Sequence, residues 1–141
     1  MPANFDAFGL RFLYPDNWTV AERDEDAGDD GVTLEMPSGG VFAIELDSET
    51  TNDADSIEKA AEVILAEYPD AERERVSLPD QPDLSVCDFS FFYLDMLIVS
   101  RLIAIGSDGE RWIIQIQAES RDFDQNELVF AAIIKQIRDG I

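Results

Sequence analysis

Between residues 84 and 119 the chain carries three long apolar segments in immediate succession, at roughly 84–94, 96–106 and 110–119. Side chains alternate across a strand, so a sheet with one wet side shows a clean apolar/polar alternation. These segments do not. Cys87, Phe89, Phe91 and Tyr93 share one side with Met96, Ile98, Leu102 and Ala104, and then with Trp112, Ile114 and Ile116. The other side carries Val86, Phe92, Leu97, Val99, Ile103 and Ile113, mixed with Asp88, Arg101, Gln115 and Gln117. This parity assumes a tight joint at Leu94-Asp95 and a three-residue hairpin loop at Ser107-Asp108-Gly109, where Gly109 can take a positive φ. Two apolar faces require two covers.

Two helical segments supply them. Ile57, Ala60, Ala61, Ile64, Leu65 and Tyr68 fall on one stripe at helical period, Asp55 and Glu58 give a capping-box-like start, and Pro69 closes the segment. Phe130, Ile133, Ile134, Ile137 and Ile141 repeat the spacing near the end of the chain, after a second D-x-x-E start at Asp124 and Glu127. Lys135 and Arg138 suit the carbonyl end of that helix dipole, and Gly140 is its stop. The spacing therefore predicts an α+β fold, an α/β/α sandwich whose antiparallel sheet is flanked by helices at about 55–68 and 125–139.

The remaining segments read as shorter strands. Phe8 to Tyr14 alternates and stops at Pro15; Trp18 and Val20 begin another. Val32, Leu34 and Met36 pair with Val41 to Leu46 across Pro37-Ser38-Gly39-Gly40, and Glu72 to Leu78 reads as an edge strand. Residues 79–83 read as a loop. At 141 residues the area-scaling rule expects about 68% of the extended chain's surface to be buried, which fits one domain over 1–141.

Composition narrows the chemistry. The chain has no His, which removes His-based acid–base catalysis, Ser-His-Asp or Cys-His pairs and His-ligated metals. Its single cysteine, Cys87, lies in an apolar run with no Lys or Arg nearby in sequence, the setting of a buried small hydrophobe. No phosphate-cradling loop and no G-x-S-x-G motif occurs. With 10 Lys and Arg against 31 Asp and Glu, a net charge of −21 works against nucleic acid and anionic membranes as partners. Neither an export signal nor an apolar run long enough to span a bilayer is visible, so a cytoplasmic, non-enzymatic protein without a cofactor is expected, monomeric and with an unidentified protein partner.

Two candidate sites follow. Asp88 and Arg101 sit mid-strand and would be directly opposite each other, with Gln115 opposite Arg101 on the next strand. They read either as a cross-strand ion pair or as a polar spot in a binding groove with Phe92, Leu97 and Val99. The acidic run 22–31 fails the EF-hand spacing, since a loop started at Asp26 puts Gly28 and Pro37 at ligand positions; Asp26, Asp29 and Asp30 remain as weak metal candidates. The alternatives are thus a protein-interaction module using the mixed sheet face and nearby loops, and a small-ligand or Ca²⁺-binding domain centred on the acidic loop. The first predicts an exposed apolar patch of a few hundred Å².

The order of elements, opened by the Y-P-x-x-W element Tyr14-Pro15-Asp16-Asn17-Trp18 and continued by a hairpin, a helix ending at Tyr68-Pro69, three long strands and a terminal amphipathic helix, resembles the Mog1/PsbP-like superfamily and its bacterial DcrB-like branch. The likeness covers the chain from Phe8 onward. It implies a non-catalytic binding module, since members serve as a Ran GTPase factor, a photosystem II extrinsic subunit and bacterial adaptor chaperones. The missing His sets this chain apart from the photosystem proteins' metal sites. The adaptor-chaperone branch is similar in size, and no partner-contacting residues are carried over.

Overall fold

The structure, a computed structural model, describes residues 2–21, 30–107 and 109–141. Among the described residues, nine strands and two helices follow in the order β1 (Ala3–Ala7), β2 (Leu10–Tyr14), β3 (Thr19–Val20), β4 (Gly31–Glu35), β5 (Val41–Leu46), α1 (Asp53–Glu67), β6 (Glu72–Leu78), β7 (Gln81–Tyr93), β8 (Met96–Ser107), β9 (Glu110–Glu119) and α2 (Ser120–Gly140). Seven strands form one antiparallel sheet in the order β3-β4-β5-β9-β8-β7-β6, while β1 and β2 make a separate hairpin.

The two helices cover opposite faces, as two greasy faces demand. Ile57, Ala61 and Ile64 of α1 pack on Cys87, Phe89, Phe91, Leu102 and Ala104. Phe123, Phe130, Ile133, Ile134 and Ile137 of α2 pack on Val86, Ile103, Ile105, Trp112, Ile114 and Ile116, with Phe42 and Ile44 of β5. Each large side chain buried this way contributes about 1.5–3 kcal/mol. The β1–β2 hairpin packs against α2 and adds Leu10 and Phe12 to that core. Its free edge is tied down by Gln136, whose Oε1 accepts from Leu13 N–H (2.9 Å) and whose Nε2 donates to the Leu13 carbonyl (3.4 Å).

The α+β sandwich stands, with corrections of detail. Ser107 pairs with Glu110, so only two residues intervene between β8 and β9, not three. One residue fewer in the loop shifts the register by one and turns every β9 side chain to the other face. Trp112, Ile114 and Ile116 therefore lie under α2, and Ile113 and Gln115 face α1's side. Asp-Gly favours the two-residue turn, and Gly109 takes φ 82°. The first strand begins later than expected, because Phe8 (φ 58°) and Gly9 (φ 83°) form the β1–β2 turn and Ala3–Ala7 is the partner strand.

The helix starts also move upstream. Asn52 rather than Asp55 caps α1: its Oδ1 accepts from Asp55 N–H (2.9 Å) and its Nδ2 donates back to Asp55 Oδ2 (2.9 Å). Glu119 caps α2, accepting from the amides of Arg121 (3.0 Å) and Asp122 (3.3 Å). Leu78 pairs with Gln81, so the expected loop at 79–83 shrinks to Pro79-Asp80 and Pro82 enters β7 near its first residue, where a missing donor is tolerated.

Candidate functional site

Asp88 and Arg101 face each other across β7 and β8, but under α2 rather than in an open groove. The guanidinium donates from Nε to Asp88 Oδ1 (2.7 Å), from Nη2 to Asp88 Oδ2 (3.0 Å) and from Nη1 to Glu127 Oε1 of α2 (3.2 Å). Its Cζ lies 4.8 Å from the Phe123 ring centroid. Burial opposes the guanidinium's charge, yet the two carboxylates outweigh it and hold its pKa above the ordinary arginine value. This cluster joins α2 to the sheet and satisfies a buried charge. Gln115 is not part of it. The register puts Gln115 opposite Leu102 on the other face, where its Nε2 donates to Ser100 Oγ (3.0 Å). Val99 is half-buried against the α2 core.

Phe92 and Leu97, by contrast, are exposed and paired with each other at the end of the β7–β8 hairpin. The reason lies in where neighbouring elements stop. β6 begins opposite Ser90, and β9 ends opposite Ile98. Beyond those residues the hairpin is a two-stranded ribbon with both outer edges free, about 10 Å long at strand rise. Helix α1 ends at Glu67, with Tyr68 stacked on Phe91 (3.9 Å between centroids, 13° between planes), and α2 begins only after Glu119. Neither helix reaches the tip. Phe92 is 72% exposed and Leu94 75%, and Tyr93, Met96 and Leu97 are exposed with them. The turn holds Leu94 at φ 50° and Asp95 at φ 63°. A left-handed conformation costs a β-carbon-bearing residue such as Leu about 1 kcal/mol, and Asn-Gly would relieve it.

Beside the ribbon, between Tyr68 and the free edge of β7, lies a recess of about 430 Å³. Phe91, Phe92 and Leu97 contribute apolar surface, Glu67, Asp70 and Glu72 contribute carboxylates, and no cation lines it. Sequence reasoning named Phe92 and Leu97 but missed Tyr93, Leu94 and Met96. The signal available was an unbroken apolar run through a two-residue turn, where Asn or Gly is ordinary.

A second groove of about 410 Å³ lies between α1 and the β5–β9 part of the sheet. Its polar end is built on Asp47, which accepts from Glu49 N–H (3.1 Å), Thr50 Oγ1 (2.6 Å), Ser56 Oγ (2.7 Å) and Lys59 Nζ (3.3 Å). Burial alone would raise the pKa of this carboxyl, but those hydrogen bonds prevail and hold it well below the usual carboxylate range. Every one of these side-chain contacts runs within 47–59, so the Asp47 carboxylate fastens the start of α1 to the end of β5, while its backbone N–H donates to the Arg111 carbonyl of β9 (2.7 Å).

Of the metal candidates, Asp26 and Asp29 lie outside the described residues. Asp30 is exposed, and its carbonyl accepts from Leu46 N–H (2.8 Å). Among the described residues no group of three or more metal-ligating side chains converges. Cys87 is buried as expected, but Arg73 from the adjacent strand donates its Nε–H to the sulfur (3.2 Å), a cation that local sequence does not reveal. No described helix is long and apolar enough to cross a membrane.

No protein-family model matches the chain, and neither does any curated protein. Among solved structures it is similar to PA94 of Pseudomonas aeruginosa, a protein of unknown function (13% identity, TM-score 0.48, covering 92% of this chain and 91% of that one). It is also similar to LpqN of Mycobacterium tuberculosis, involved in cell envelope biogenesis (15% identity, TM-score 0.45, covering 99% and 87%).

Proposed function

We propose that the chain is a non-catalytic protein-interaction module of the Mog1/PsbP-like kind, an adaptor or chaperone-like factor. The β7–β8 tip takes an apolar segment flanked by Lys or Arg on a partner protein. The observation that carries this reading is the row of five exposed apolar side chains at 92–97, on a ribbon beyond both helices. Tyr93 and Met96 lie on one face of the ribbon and Phe92 and Leu97 on the other, with Leu94 at the turn between them, and over both faces they present on the order of 500 Å² of mainly apolar surface. The left-handed Leu94 adds a second cost at the same place, as functional sites commonly do. The carboxylates of Glu67, Asp70 and Glu72 beside it, within a chain of net charge −21, favour a basic partner and oppose nucleic acid and anionic bilayers. The absence of His from the whole chain supports a binding role over catalysis, and a cytoplasmic monomer is the setting we propose.

The test uses the full chain as bait in native lysate beside Phe92→Ser/Leu97→Ser and, as a control, Leu128→Ser, which removes an 86% exposed apolar side chain on α2. The reading expects a retained protein that the tip variant loses, the control keeps, and rising salt weakens. Equal retention by wild type and tip variant would overturn it.

A further inference from the structure

A cavity of about 600 Å³ opens between the first turns of α1 and the β6–β7 edge, far from acidic in a chain that is acidic almost everywhere else. The alternation Glu72-Arg73-Glu74-Arg75 sends both arginines to α1's face, opposite Phe89 and Cys87. Arg73 is held in place: it forms a two-point ion pair with Glu58, at 3.1 Å for Nη1–Oε2, donates to Cys87 Sγ and lies 5.5 Å from the Phe89 ring centroid. That pair neutralises Glu58, leaving the cavity wall with one uncompensated positive charge.

The uncompensated charge is Arg75. Among the described residues every other lysine or arginine except Arg121 is ion-paired, as 31 carboxylates against 10 cations would lead one to expect. Arg75 lines the cavity without such a partner, and the Ser77 and Ser85 hydroxyls beside it make no hydrogen bond within the described protein. Three donors from two adjacent strands thus face one space, with Ile57 and Leu84 supplying apolar wall.

We infer that this cavity binds a small organic oxyanion, a phosphate monoester or carboxylate on an apolar body, gripped by Arg75 with Ser77 and Ser85. Arginine suits either group through its planar fork, and the cavity volume lies in the range of ordinary ligand sites.

The experiment is an amide NMR titration of the full chain with phenyl phosphate, benzoate and inorganic phosphate, each against sodium chloride at matched ionic strength. The inference expects saturable shifts at Arg75, Ser77 and Ser85 with at least one organic anion, below about 10 mM. It also expects a loss of at least about tenfold in affinity for Arg75→Gln, and none for Arg121→Gln. Tighter phenyl phosphate marks a phosphorylated ligand, and tighter benzoate a carboxylate. Arg75 is exposed on an edge strand, so the variant stays folded, which circular dichroism verifies. Shifts matching sodium chloride, or an Arg75→Gln variant that binds like wild type, would overturn the inference. Neither outcome bears on the hairpin tip.

Discussion

Replacing Arg101 by Met removes a guanidinium whose side chain is 7% exposed and strands Asp88, itself 14% exposed, beneath α2. Breaking a buried pair from one side costs about 3–5 kcal/mol, and the small residual access of Asp88 to water places this case near 3 kcal/mol. At about 2.1 cal/mol/K per residue the chain's unfolding entropy is near 0.3 kcal/mol/K, so Tm falls by about 10 °C. Adding Asp88→Leu removes the stranded charge, and the double variant recovers to within about 1 kcal/mol of wild type. Urea unfolding followed by the fluorescence of buried Trp18 and Trp112 measures each corner of the cycle, with m unchanged. If the pair instead lined an open groove, water would replace the lost bonds and the single variant would cost under about 1 kcal/mol. That result, or a double variant as unstable as Arg101→Met, would refute the reasoning.

Asp47→Asn costs about 2 kcal/mol at neutral pH, because an amide replaces a carboxylate that four donors address. The folded pKa of Asp47 is depressed below its unfolded value. Its contribution is therefore complete above the unfolded carboxylate pKa near 4 and is lost as pH falls toward the folded value. Urea midpoints of wild type and variant should accordingly converge below about pH 4; a constant gap from pH 7 to 2 would contradict the assignment. Gly40→Ala drives a Cβ into Met36 Cε, to 3.0 Å from Ala118 Cβ and 3.2 Å from the Gln117 carbonyl oxygen. It lowers stability by about 1–3 kcal/mol in thermal unfolding, and a neutral result would show that the β4–β5 turn yields freely.

The layers were legible in sequence because periodicity reports which side of an element is apolar. Two greasy strand faces and two amphipathic helices admit few other arrangements, and they located the Asp88–Arg101 contact as well. Register across Asp108-Gly109 was not legible: one loop residue decides whether Gln115 or Ile116 lies opposite Arg101, and hydrophobic count does not distinguish them when both faces are apolar. The Ala3–Ala7 strand was missed because Phe8 resembles the start of an alternating strand while serving as a turn residue. The exposure of Phe92 through Leu97 had no local signal of its own. It depends on where β6, β9, α1 and α2 begin and end, and those ends lie outside 92–97: α1 stops at Glu67 before Pro69, and Glu119 both ends β9 and caps α2.

Leu94→Asn bears most directly on the proposal that the hairpin tip is kept uncovered for recognition. Asn accepts the left-handed turn conformation more readily and withdraws an apolar side chain from water. The account expects thermal unfolding to rise by about 3 °C while the retained partner is lost from the bait. A variant that is more stable and still retains the partner at the wild-type level would contradict it.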